Sequence, residues 1–106
     1  MMGKYFTYVL YSEGKDRMYV GHTADMQIRL AKHNHGEVRS TKGGIPWKLA
    51  YQEGFSSRSE AMAEERKFKN LKSRGRMLER MFVRKSRAES IYIDSGILEK
   101  WVKSEI

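Results

Sequence analysis

Two runs rich in aromatic and β-branched residues, Tyr5 to Ser12 and Met18 to His22, flank the polar stretch Glu13-Gly14-Lys15-Asp16. That pattern predicts an antiparallel hairpin. Asp25, a good N-cap, and Gly36, a good helix stop, bound a first helix whose apolar stripe is Met26, Leu30 and the neighbouring His33. Arg29 flanks that stripe and Lys32 lies further round, so burying Met26 and Leu30 leaves Arg29 at a cleft edge. On spacing alone, a solvated surface arginine is the commoner reading. From Trp47 to Phe55, the residues Trp47, Leu49, Tyr51 and Glu53 alternate with Lys48, Ala50 and Gln52, a period of two that predicts a third strand. Ser57-Arg58-Ser59-Glu60 has the form of a capping box and opens a second helix with Ala61, Phe68 and Leu71 on its buried stripe. Glu65 lies four residues after Ala61 and three before Phe68, on the core face, where a carboxylate demands a compensating partner. Glu64 flanks the same stripe, and periodicity does not separate the two. Ser73 precedes a third amphipathic helix carrying Met77, Leu78, Met81 and Phe82. In the tail, Ile91 to Ile106, spacings near three and four between Ile93, Ile97, Leu98, Trp101 and Val102 predict a short final helix. The expected fold is an α+β sandwich: a three-stranded antiparallel sheet flanked by helices, in the order β-β-α-β-α-α with a C-terminal helix.

At 106 residues the chain is expected to form one domain, with a core over about 5–79 and a basic helix and helical tail over 80–106. Charge narrows the partner. Lys and Arg number 21 against 13 Asp and Glu, a formal net charge of +8 and a pI near 9.8. Such an excess suits a polyanion, and nucleic acid is the usual one, since each neutralised phosphate releases condensed counterions. An anionic membrane surface or acidic protein is the rival, but the sequence shows no signal peptide, long apolar span or lipidation motif, so no membrane partner is expected. Cysteine is absent, which excludes disulfides and thiolate metal sites and fits a reducing cytoplasm as the expected location. No His/Cys cluster, P-loop or Ser-His-Asp arrangement is present, which removes zinc hydrolases, NTPases and acyl-transfer enzymes. The segment Val38 to Gly44 pairs basic residues with two glycines and reads as a nucleic-acid-contacting loop or a mobile linker. Beyond Leu71, the cations Lys72, Arg74, Arg76, Arg80, Arg84, Lys85 and Arg87 read as a solvated face or an extension of a nucleic-acid track.

Each strand of the hairpin carries a triplet that begins with tyrosine, Tyr8-Val9-Leu10 and Tyr19-Val20-Gly21. Side chains opposite or diagonal across such a pair lie within roughly 5 to 8 Å, close enough for two phenols to share a water, a proton or a phosphate oxygen. Those triplets, the helical Arg29, and Glu65 in the context Ala-x-x-Glu-Glu-Arg-Lys-Phe-Lys follow one another in an order that resembles the GIY-YIG nuclease superfamily. The likeness is strongest to its small standalone bacterial members and to the N-terminal nuclease domain of the excinuclease, and it covers roughly Tyr5 to Glu79. The sequence departs from the family at Phe6-Thr7, which replaces the Gly-Ile of the first triplet.

The resemblance implies metal-dependent endonucleolytic cleavage of DNA, with RNA left open. Tyr19 would serve as general base or position the attacking water, and Tyr8 would hydrogen-bond the same water or the scissile phosphate. A phenol with a pKa near 10 is a poor base at neutral pH, and nearby cations would favour its phenolate. Arg29 would grip the non-bridging oxygens with its planar guanidinium. Glu65 would hold one hard divalent cation, Mg²⁺ or Mn²⁺. His33 matches a histidine common on this helix in the family and reads equally as a partner of a tyrosine or as a core histidine. His22 reads as a phosphate contact, a proton relay or an ordinary loop histidine. Lys32, Arg39, Lys42, Lys69 and Arg74 complete the expected nucleic-acid contacts. The alternative is a catalytically inactive nucleic-acid-binding module of the same fold, and the joint presence of Tyr8, Tyr19, Arg29 and Glu65 favours the enzyme.

Overall fold

The computed structural model describes residues 4–88 and 90–104. The hairpin forms as the pattern predicts. Strands β1 (Tyr5–Ser12) and β2 (Arg17–Thr23) pair antiparallel, with Tyr8 opposite Gly21 and Leu10 opposite Tyr19. Helix α1 (Met26–Asn34) follows, and Asp25 caps it by accepting from the Ile28 amide. The chain leaves α1 through Gly36, whose φ of 77° lies in the left-handed region. Strand β3 (Trp47–Phe55) pairs with the other side of β1. Helices α2 (Arg58–Leu71) and α3 (Arg74–Lys85) are capped by Ser57 and Ser73, which accept from the Glu60 and Arg76 amides.

Among the described residues the sheet has four strands rather than three, in the order β2-β1-β3-β4. The fourth, β4 (Ile91–Ile93), pairs antiparallel with Tyr51, Gln52 and Glu53, and only Ser95–Ser104 of the tail forms the final helix, α4. Ile93 and Ile97 are four apart and so mimic one helical stripe, but Asp94 interrupts it. Its carboxylate accepts from the Ile97 amide, which starts α4 after the strand has ended. Glu105 and Ile106 of the expected tail lie outside the described residues.

A second departure sits in β3. Val9 pairs with Tyr51 and Leu10 with Leu49, so Ala50 is the extra residue of a β-bulge. The bulge breaks the period of two and switches the faces. Trp47 and Leu49 pack with Tyr8, Leu10, Tyr19, Met26 and Leu30 beneath α1, whereas Tyr51 joins Val9, Tyr11, Phe68, Leu78, Met81 and Trp101 beneath α2, α3 and α4. The sheet is therefore the middle layer of three.

Two acids are buried on the α3 side of the sheet. Glu53 is 1% exposed and Glu64 is 4% exposed, and each carboxylate accepts two bonds from Nε and a terminal NH₂ of an α3 guanidinium, Arg84 on Glu53 and Arg80 on Glu64. Tyr51 donates a further bond to Glu53, at 2.9 Å. The cations of α3 are thus not one solvated face or one nucleic-acid track, because two of them neutralise buried acids.

Candidate active site

Four of the expected residues converge on the α1 side of the sheet. Tyr8 and Tyr19 lie on adjacent strands with ring centroids 6.3 Å apart, and the His33 ring sits 5.9 Å from the first and 5.0 Å from the second. His33 therefore fills both expected roles, a fully buried residue of α1 and the partner of a tyrosine, with its Nε2 2.9 Å from the Tyr8 hydroxyl. Arg29, one turn earlier on α1, donates from Nε to the Tyr8 oxygen at 3.3 Å. The hydrogen bond to Tyr8, working against partial burial, raises the Arg29 guanidinium pKa and holds its charge in place. Gly21 explains the end of its triplet, since a Cβ there would stand 2.5 Å from the Tyr8 hydroxyl oxygen. Gly21→Ala is expected to push Tyr8 off His33 and cost about 1–3 kcal/mol in urea unfolding. An unshifted His33 ring signal in the variant would contradict that geometry.

Burial pushes the Tyr8 phenol up to about 12, against the favourable charge of Arg29. Burial, with Arg29 adding to it, pulls His33 down from 6.5 to about 4. Tyr8 is thus a phenol and His33 a neutral imidazole at neutral pH. Because His33 resists protonation only in the folded state, its contribution to stability is complete above pH 6.5 and is lost as the pH falls towards 4. At about 1.4 kcal/mol per pH unit, the loss is at most about 3 kcal/mol. Urea unfolding between pH 7 and 5 should show it, with a flatter profile in His33→Gln; equal slopes would contradict the assignment.

Glu65 joins the site across the β2 edge. Register places His22 opposite Thr7 on the α2 side of the sheet, where His22 Nδ1 meets Glu65 Oε1 at 2.7 Å and Lys69 Nζ meets Oε2 at 2.7 Å. His22 is thus a strand residue rather than a loop residue. Burial works against ionisation of Glu65, but Lys69 and His22 outweigh it and hold the carboxyl below its usual range. Turning by one residue along α2 separates the two glutamates that periodicity left together, with Glu64 inward on Arg80 and Glu65 outward on His22. Between them, His22, Arg29, Lys32 and Arg58 line an open cleft of about 450 Å³, so one surface connects the group on Glu65 with the group on Tyr8.

The remaining expected contacts divide. Lys32 lines the cleft, and Lys69 is engaged with Glu65. Arg39 and Lys42 are exposed on a short 3₁₀ turn, Arg39–Gly44, within the segment that reads as a loop. Arg74 instead bonds Asp16 at 2.9 Å and lies over the Tyr11 and Trp101 rings on the opposite sheet face. Sequence reading passed over Arg58, hidden in the capping box, and Thr41, whose hydroxyl lies 2.7 Å from His33 Nδ1. Among the described residues, no group of three or more His, Cys, Asp or Glu could hold a metal ion. Glu65, whose two oxygens are engaged by His22 and Lys69, is the carboxylate here that could hold a hard cation that keeps most of its waters. No helix among the described residues is long and apolar enough to cross a membrane.

Residues 4–79 match the family model described as the GIY-YIG catalytic domain. A UPF0213 protein of Streptococcus pneumoniae is 45% identical over 71 residues, which cover 65% of this chain and 70% of that protein. A UPF0213 protein of Staphylococcus haemolyticus is 39% identical over 69 residues, covering 64% of this chain and 83% of its own length. A third, from Halobacterium salinarum, is 44% identical over 54 residues, covering 50% and 70%.

Proposed function

The chain belongs to the GIY-YIG family, a nuclease family, and we propose that it is a divalent-metal-dependent endonuclease that hydrolyses phosphodiester bonds in DNA. The observation that carries the reading is Arg29, which bonds Tyr8 beside Tyr19 and also lines a cation-rich cleft that reaches His22, the partner of Glu65.

Arg29 spends Nε on Tyr8, and among the described residues its terminal NH₂ groups make no hydrogen bond, so they can donate in parallel to non-bridging phosphate oxygens. Lys32 and Arg58 on the same cleft would take flanking phosphates. Tyr8, kept neutral by burial, holds the guanidinium rather than accepting a proton. That leaves Tyr19 to orient the attacking water and, by passing its own hydroxyl proton to solvent, to take up the water's. His22 and Lys69 fix the Glu65 carboxylate. When bound there, a hard divalent cation would neutralise charge developing on the phosphate and on the leaving oxygen. Lys69, half exposed, would then be released to the nucleic-acid backbone.

Incubation of the purified chain with plain, flapped and branched duplex DNA tests the reading. Cleavage with Mg²⁺ or Mn²⁺ that ceases on chelation is the expected result, and binding without cleavage of any substrate would replace the enzyme with a nucleic-acid-binding module.

A further inference from the structure

The hydrogen-bond chain behind Tyr8 ends at a residue with no place in the chemistry described so far. His33 Nδ1 lies 2.7 Å from the Thr41 hydroxyl, and that hydroxyl lies 3.3 Å from the Val38 carbonyl. We propose that Thr41 is a positioning residue for Tyr8. Its hydroxyl accepts from His33 and so fixes the Nδ1–H tautomer, which leaves Nε2 bare to take the Tyr8 hydroxyl proton and keeps the Tyr8 oxygen as the acceptor for Arg29. The proposal rests on the nuclease reading only for its consequence in turnover.

Counting hydrogens decides the direction of the chain. With Nδ1 protonated, Arg29 Nε–H, the Tyr8 hydroxyl, His33 Nδ1–H and the Thr41 hydroxyl each find an acceptor, the last being Val38. With Nε2 protonated, His33 and Arg29 both donate to Tyr8, and the hydroxyl hydrogen of a fully buried tyrosine is left with none of these partners. Thr41 is rigid enough to impose the choice. It is 1% exposed, its amide donates to Val38 at 3.1 Å, and its carbonyl accepts from Trp47 Nε1 at 2.7 Å. Trp47 is pinned in turn by Asn34, which exchanges two bonds with its backbone at 2.6 and 3.0 Å. The 3₁₀ turn is therefore a fixed wall of the site, built to present one hydroxyl.

The test is ¹⁵N NMR of the His33 imidazole in the full-length protein, together with single-turnover DNA cleavage and DNA binding. Wild type should show the Nδ1–H tautomer. Thr41→Val keeps the side-chain shape and the backbone bonds but removes the acceptor, and it should switch His33 to Nε2–H. Turnover should then fall by roughly 10- to 100-fold, the size of effect typical when a group that orients a site ligand is lost. DNA affinity should stay within about twofold, because no phosphate contact is touched. Thr41→Ser should restore both tautomer and turnover. An Nε2–H tautomer in wild type overturns the proposal without recourse to any variant, as does retention of Nδ1–H in Thr41→Val. A tautomer switch in a protein that cleaves nothing would uphold the positioning role and sink the nuclease reading instead.

Discussion

Tyr19→Phe should lower single-turnover cleavage by about 10²- to 10⁴-fold while leaving DNA affinity unchanged, the span expected when a positioned proton acceptor is lost. The substitution removes one oxygen and nothing else, and the ring keeps its contacts with Tyr8, His33 and Trp47 at centroid distances of 6.3, 5.0 and 6.4 Å. Tyr8 cannot take over, because burial holds it a phenol up to about 12 and its hydroxyl proton is directed at His33. A loss confined to KM, with turnover intact, would reassign Tyr19 to substrate binding.

Arg84→Ala should cost about 3–5 kcal/mol in denaturant unfolding, the usual penalty for stranding a buried charge. Among the described residues, Glu53 would be left with only the Tyr51 hydroxyl as a side-chain partner, at 2.9 Å, in a position 1% exposed. The companion double variant Glu53→Leu/Arg84→Met should recover most of the loss, since removing both charges also removes their desolvation. A cost below about 1 kcal/mol for Arg84→Ala would mean that water reaches Glu53 and that α3 is not clamped to the sheet by this pair.

Local signals carried most of the fold. The hairpin, the first three helices with their Asp25, Ser57 and Ser73 caps, and the extent of β3 follow from turn and capping chemistry that acts within four residues. What stayed hidden depends on partners far along the chain. The bulge at Ala50 is set by pairing with β1, so an apparently strict alternation concealed the fact that Tyr51 and Glu53 face α3. Strand β4 is three residues long, too short to show a period, and it exists because β3 offers an open edge. Arg80 and Arg84 looked like surface cations because their acids, Glu64 and Glu53, are 16 and 31 residues away.

The site divides along the same line. Tyr8 and Tyr19 could be placed together from strand register, whereas Arg29 joined them only through the family resemblance, since spacing alone read it as a surface arginine; the structure brings the three together. Glu64 and Glu65 could not be told apart by periodicity, because the choice is made by Arg80 on one side and His22 on the other. Thr41 gave no signal as a member of a basic, glycine-containing segment, since its meaning comes only when the turn folds back onto α1. Arg74 carried the charge of a phosphate contact but is drawn to Asp16 of the hairpin turn.

The central claim is that the cleft between Arg29 and Glu65 cleaves phosphodiester bonds, and side-by-side nicking of duplex DNA by wild type and Glu65→Gln, prepared identically with Mg²⁺ present, tests it most directly. The account predicts that wild type nicks, that Glu65→Gln does not, and that the variant binds DNA at least as tightly because it loses a negative charge and no phosphate contact. Indistinguishable nicking by the two proteins would contradict it and assign the activity to something other than this site.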